Sequence, residues 1–319
     1  MNRSFLPASL QVKSNYLMKI SLLAATAAWF ALSAFAAAAE RGTIVRSADL
    51  HASPSTNSEK VSTVDRGTEL TIQEQRKADN DSWVKVSIAV PGATRNEPAR
   101  EVSGWLPATP VVMASAANAD QIVYGEAVDS EQQAEQSGGR KGAAQDAMRL
   151  YYAVAQLFPS SPLAGEALWR SADIRHQLDK GSGKAQDDFY LNQVISRFPK
   201  TKWADLAAFD LIDTQLCGDW NGLPDCPAKE AVLFENYARE HPQSPKFGEA
   251  IFDAAVRQGT VADMYRMSND KEKSAAAHAK ALSLAQELAG NAAQGEWSYR
   301  ASDLIYKLQQ NLPLYGVSE

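Results

Sequence analysis

The sequence predicts a multidomain chain: a small all-β barrel followed by an all-α helical solenoid. Three observations lead there. Between 40 and 112, short Val/Ile/Thr runs alternate with turn clusters. From 143 to 312, apolar residues recur at i, i+3, i+4 and i+7. Within that second stretch an aromatic-proline stop is written three times, as "LFPSSPLAGEA", "RFPKTKWADLA" and "EHPQSPKFGEA".

Residues 1–39 stand outside this scheme. Arg3, Lys13 and Lys19 precede an apolar run from Ile20 to Phe35, no acid occurs, and "SAFAAAAE" offers small-residue cleavage sites. This is the layout of a secretory signal peptide, with cleavage expected after Ala39 or else Ala36, and with Met1 or Met18 as the start. The alternative is an uncleaved N-terminal anchor. No cysteine follows the run, so a lipid-attachment motif is missing. The expected location is periplasmic or secreted, without membrane insertion after leader cleavage. The whole chain has 32 bases and 38 acids; 32 less the three of the leader is 29, which leaves a net charge of −9. An acidic chain without a Lys/Arg block argues against nucleic acid or an anionic membrane as partner.

From 40 to 112, the segments "GTIVRS", "KVSTV", "TELTIQEQ", "SWVKVSIAV" and "SGWLPA" read as five strands, separated by turn residues. Alternation sets Trp83, Lys85 and Ser87 on one face of the fourth run and Val84, Val86 and Ile88 on the other. The order of motifs resembles a bacterial SH3 (SH3b) domain. Ser53-Pro54-Ser55, Asp65-Arg66-Gly67-Thr68, Trp83-Val84-Lys85-Val86 and Gly104-Trp105-Leu106 carry the likeness. "ADLHASPS" and an insertion around Pro91–Pro98 depart from it. The resemblance implies a module that interacts with the cell wall or a peptide. Trp83 and Trp105 are then candidate ligand-contact aromatics, with packing inside a small barrel as the other reading.

Residues 113–142 lose periodicity and fill with Ala, Gln, Glu, Ser and Gly, which reads as a linker with room for a short strand or helix at Gln121–Tyr124. Two glycine-lysine stretches, "SGGRKG" and Gly181–Lys184, lack the spacing of a phosphate loop, because Leu178 stands where a glycine is needed and Ala185 follows Lys184.

In the helical half, Ala147, Leu150, Tyr151, Val154 and Leu157 form one stripe, and Leu191, Val194, Ile195 and Phe198 another. Phe234, Tyr237, Ala238 and His241 form a third, and Ala281, Leu284, Ala285 and Leu288 a fourth, stopped by Gly290-Asn291. Pro159, Pro199 and Pro242 end three of these helices, since proline cannot donate the helical hydrogen bond and drives the residue before it out of the α region. The rings Phe158, Phe198 and His241 are placed to pack under the turn. Ser160/Ser161, Thr201 and Ser244 are placed to cap the next helix. The prolines are 40 and 43 residues apart, a spacing of helical repeats. The signature resembles the tetratricopeptide (TPR)-like repeats of bacterial envelope proteins, in particular those of the BamD and YbgF families. Gln156–Ala167, Ser196–Ala207 and Ala238–Ala250 carry it. The fold class is thus a small all-β SH3-like barrel followed by an all-α TPR-like helical solenoid of four helix pairs. Its expected divisions are a signal peptide (1–39), a barrel (40–112), a linker (113–142) and a helical repeat domain (143–312).

Cys217 and Cys226 lie close together in "CGDWNGLPDC", in the expectedly exported part, and are expected to form a disulfide. No metal site is expected, since no histidine lies within a dozen residues of the pair. No cofactor is expected either. His51, His176, His241 and His278 form no H-E-x-x-H pair and neighbour no G-x-S-x-G. Asp187-Asp188 and Glu69/Glu74 are paired acids without a defined cleft, and Met264-Tyr265-Met267 reads as core. The expectation is a non-enzymatic scaffold or adaptor of the cell envelope, with a protein or peptide partner and peptidoglycan as a further one. Two alternatives stay open: a wall-targeted hydrolase whose catalytic part is the helical half, and a periplasmic chaperone that binds unfolded clients.

Overall fold

A computed structural model describes residues 39–78, 80–90, 97–182 and 188–316, with side chains omitted at 180–182. The expected signal peptide, its cleavage point after Ala36 and the choice of start lie outside the described residues, as do 91–96 of the insertion and Asp187. The described residues belong to one compact unit.

Seven strands form one antiparallel sheet: β1 (Glu40–Ile44), β2 (Ala48–His51), β3 (Lys60–Val64), β4 (Glu69–Ala78), β5 (Asp81–Val90), β6 (Arg100–Pro107) and β7 (Val111–Met113). Their order is β3-β2-β6-β5-β4-β1-β7. Five strands were expected; the two additional ones are β2, which pairs with β3 and β6, and β7, which adds to β1 through Thr43 opposite Val112. One core cluster draws on six of the seven strands, from Ile44 to Leu50, Val64, Leu70, Val84 and Leu106, with Val111 and Met113 of β7 packed against it. Strands so far apart in the order share a core only where the sheet curls over itself, which gives the SH3-like barrel. Val84, Val86 and Ile88 face that core, as the alternation requires.

The helices are α1 (Ala119–Glu135), α2 (Ala143–Leu157), α3 (Ala164–Ser182), α4 (Phe189–Arg197), α5 (Lys202–Asp213), α6 (Asp225–Glu240), α7 (Phe247–Met267), α8 (Lys271–Ala289) and α9 (Glu296–Gln309). Within the expected linker over 113–142, α1 runs well beyond the short element expected at Gln121–Tyr124. Its buried stripe is Ala119, Val123, Ala127 and Ser130, too small and too polar to register as a period, yet enough to seat α1 on α2. Val45 of the barrel joins the same cluster as Val123, Leu150 and Tyr151, so the barrel and the first helices share apolar contacts.

Each helix packs on the next, α3 also touches α5, and α7 also touches α9, so alternate helices share a face. The helix pairs α2/α3, α4/α5 and α6/α7 are joined by equivalent turns, whereas α8 and α9 are joined through Gly290-Asn291 and a 3-10 turn at Ala292–Gln294. Phe158, Phe198 and His241 close α2, α4 and α6 with φ/ψ of −126/57°, −125/49° and −124/58°. Their backbone N–H groups donate to the carbonyls of Val154, Val194 and Tyr237, and the proline that follows ends the ladder. Thr201 caps α5 by accepting from Ala204 N at 3.3 Å. Ser161 and Ser244 act within the turn instead, accepting from Leu163 N and Lys246 N, and α3 and α7 begin just after.

Cys217 and Cys226 are disulfide-bonded, with Cα atoms 6.2 Å apart. No helix among the described residues is long and apolar enough to cross a membrane.

Candidate functional site

The barrel tryptophans are inside. Trp83 is 2% exposed and Trp105 is 6% exposed. They stand on the face of β5 and β6 away from the central cluster, Trp83 opposite Pro107 and Trp105 opposite Lys85. His51 meets Trp83 edge-on at 5.7 Å, and the Arg76 guanidinium lies 5.0 Å above the Trp105 ring. Neither ring presents a free stacking surface, and the Trp83 indole N–H has no hydrogen-bond partner among the described residues.

On the helices, polar side chains bridge α3 to α5 and α3 to α1. Trp169 of α3 stacks on Trp203 of α5 at 5.4 Å, and its indole N–H donates to Asp210 Oδ2 at 3.0 Å. Burial raises the Asp210 carboxyl to about 6, the Trp169 bond opposing this and the charge of Asp173 adding to it. Burial likewise raises Asp173 and Asp253 above the ordinary carboxylate range. Towards α1, Tyr151 donates to Glu131 at 2.6 Å and Arg170 binds both Glu131 and Glu166. Burial pushes the Tyr124 phenol up to about 12 and raises Tyr151 as well. Carboxylates held this way cost solvation and keep fixed directions.

The four histidines are dispersed. His51 Nδ1 meets Ser58 O at 3.1 Å, His241 Nδ1 meets Asp205 Oδ1 at 2.8 Å, and His278 Nε2 meets Leu308 O at 3.0 Å. Glu69 pairs with Arg41 and Glu74 with Arg76, so neither acid faces the other across a cleft. Met264 is buried but Met267 is 73% exposed, so that cluster is core only in part.

Sequence reasoning missed two features. The first is Glu230, 2% exposed, which accepts from Cys217 N and Trp220 Nε1 and pairs with Arg257, fastening the disulfide loop to α6 and α7. The second is a groove of about 600 Å³ between the barrel and α1, bordered by Arg46, Arg66 and Glu126. The first has no clear sign in sequence, because Asp219 and Asp225 lie nearer the cysteines than Glu230 and only the fold shows which acid is buried. The second has no sign in sequence, since its walls lie some 60–80 residues apart.

No curated protein matches the chain. Among solved structures, the DHF58 filament is similar over 60% of this chain and 91% of its own, at 16% identity and a TM-score of 0.24. The de novo designed helical repeat protein DHR64 is similar over 60% and 93%, at 17% identity and a TM-score of 0.22. Residues 46–107 match the family described as the bacterial SH3 domain. The chain carries a bacterial SH3 domain at these residues, followed by a helical repeat-like region.

Proposed function

We propose that this protein is a non-catalytic, exported scaffold of the bacterial cell envelope. In this reading the helical region holds a protein partner and the SH3 domain holds a peptide or peptidoglycan. The observation that carries it is the face shared by α3 and α5, where Trp169, Asp173 and Asp210 stand partly buried, in a chain whose barrel packs on α1 and α2 within the same compact unit. Helix-pair arrays present such faces to extended or folded partners. The basic, acid-free leader supports export, and the resemblance to the BamD and YbgF families supports an envelope setting.

The test uses protein spanning 40–319, mixed separately with envelope extract and with purified murein sacculi. Recovery of a discrete protein partner, together with co-sedimentation with sacculi, is the expected outcome. Recovery of neither overturns the reading. Clearing of the sacculi suspension would assign the helical half to a hydrolase, and selective capture of unfolded clients would assign it to a chaperone.

A further inference from the structure

We infer that the groove between the barrel and α1 receives the terminal carboxylate of a peptide, held between Arg46 and Arg66. The inference rests on the reading of the barrel as a peptide-binding module and names the chemistry it would recognise.

Arg46 follows β1 and Arg66 lies in the turn between β3 and β4, so both reach the groove from the barrel; Glu126 reaches it from α1. The Arg66 side chain is only 18% exposed, yet its guanidinium makes no hydrogen bond among the described residues. Its nearest carboxylate oxygen is on Glu126, at 3.9 Å, and Arg46 approaches the same carboxylate only to 4.0 Å. Both distances exceed hydrogen-bond reach. A guanidinium has five donors in a planar fork, and withdrawing one from water without a bonded acceptor is unfavourable. Arg46, whose side chain is 69% exposed, brings a second, solvated fork to the same open groove, so a carboxylate there can accept from each.

The supports are already in place. Arg66 O accepts from Arg149 Nε at 2.8 Å, and Val45 N donates to Pro110 O at 2.8 Å, so both turns are fixed before any ligand arrives. The opposite wall selects the ligand. Glu126 and Asp129 on α1 oppose a dianion such as phosphate and can pair with an ammonium on the same ligand. Ile122, 46% exposed, supplies an apolar floor, and a Cβ added at Gly125 would meet nothing within 4 Å. The volume, about 600 Å³, is that of a small-ligand site. Free carboxylates of this kind occur on wall stem peptides, which end in D-residues, and on the C-termini of proteins.

The experiment is calorimetric titration of the 40–319 protein with the tripeptide Lys-Ala-Ala in four forms: all-L or with two D-alanines, each as free acid and as C-terminal amide. A free acid is expected to bind at least tenfold more tightly than its amide. Preference for the D-form assigns the wall as source, preference for the L-form a protein terminus, and either supports the site. Arg46→Ala and Arg66→Gln should abolish the acid-over-amide difference. Should Arg66→Gln unfold, Gly125→Leu fills the groove from an exposed helix position and should weaken the acids by at least tenfold with unchanged thermal stability. Equal binding of acid and amide, no binding of any form, or equal competition by inorganic phosphate overturns the inference. Sacculus binding that persists in Arg46→Ala and Gly125→Leu, with no acid preference, sinks the groove and leaves the scaffold reading standing.

Discussion

His241 Nδ1 lies 2.8 Å from Asp205 Oδ1, and the two residues occupy the ring position of one hinge and the sixth position after the proline of the previous hinge. At the hinge before it, the same register brings Phe198 onto Gly165, whose added Cβ would stand 3.4 Å from the Phe198 ring. The rings Phe198 and His241 thus dock on the start of the preceding unit's second helix. A phenylalanine takes a glycine there, and a histidine takes an aspartate. His241→Phe alone leaves Asp205, part-buried, without its ring partner, and should cost about 1–2 kcal/mol. Combined with Asp205→Gly, which recreates the Phe198–Gly165 pairing, the loss should be less than the sum of the two single losses by about 1 kcal/mol in a double-mutant cycle from urea unfolding. Additive losses would separate the two positions.

The hinges were legible because proline acts locally: it fixes its own φ and constrains one neighbour. Their docking sites were not, because Asp205 and His241 are 36 residues apart and only the packing of successive units brings them together. The same reason hides the groove of Arg46 and Arg66. The full extent of the helix at Ala119–Glu135, of which the sequence offered only a short strand or helix at Gln121–Tyr124, was hidden for another cause. Its buried positions hold alanine and serine around a single valine, so its contact with α2 depends on close approach and leaves no apolar stripe to read.

Glu230 should outweigh the disulfide it sits beside. One of its oxygens accepts from Cys217 N at 2.8 Å and Trp220 Nε1 at 3.1 Å, and the other meets Arg257 Nε at 2.8 Å. Glu230→Ala leaves Arg257, whose side chain is 14% exposed, with Asp253 as its remaining ionic partner. Removal of one member of such a buried pair should cost about 3–5 kcal/mol. The expected result in urea unfolding is a larger loss than that from opening the disulfide.

Opening the Cys217–Cys226 bond, by reduction or by Ser at both positions, should lower stability by about 2–3 kcal/mol through the entropy of the unfolded chain. The folded loop should keep its place, since Glu230 still holds it by two hydrogen bonds. Trp220 emission is the readout: unchanged after reduction, shifted in Glu230→Ala. A shift on reduction alone would make the disulfide the organising element.

Asp210 gives a pH signature of defined sign. Burial raises its carboxyl from 3.8 to about 6, so the folded state binds a proton more tightly than the unfolded state. Stability linked to this group is fullest at low pH and is lost as pH rises from about 4 through about 6. Asp210→Asn removes the titration and still accepts from Trp169. The variant should gain on the order of 1–2 kcal/mol relative to the parent at pH 7.5 and little at pH 4. A pH-independent difference in thermal unfolding would contradict the assignment.

Gly67 ties the barrel to the helices. It adopts φ +78° in the turn between β3 and β4, and an added Cβ would lie 2.5 Å from Arg149 Cβ and 2.6 Å from Arg149 C on α2. An alanine there meets two separate penalties: the left-handed backbone, and a clash with a helix backbone that cannot rotate away. Relief requires the turn to lift from α2, which would break the bond from Arg149 Nε to Arg66 O and loosen Val45 from its cluster with Val123 and Leu150. Gly67→Ala should therefore cost on the order of 2–4 kcal/mol and split one cooperative unfolding transition into two, the barrel melting before the helices. A single transition at unchanged midpoint in calorimetry would mean that the barrel and the helices do not depend on this contact.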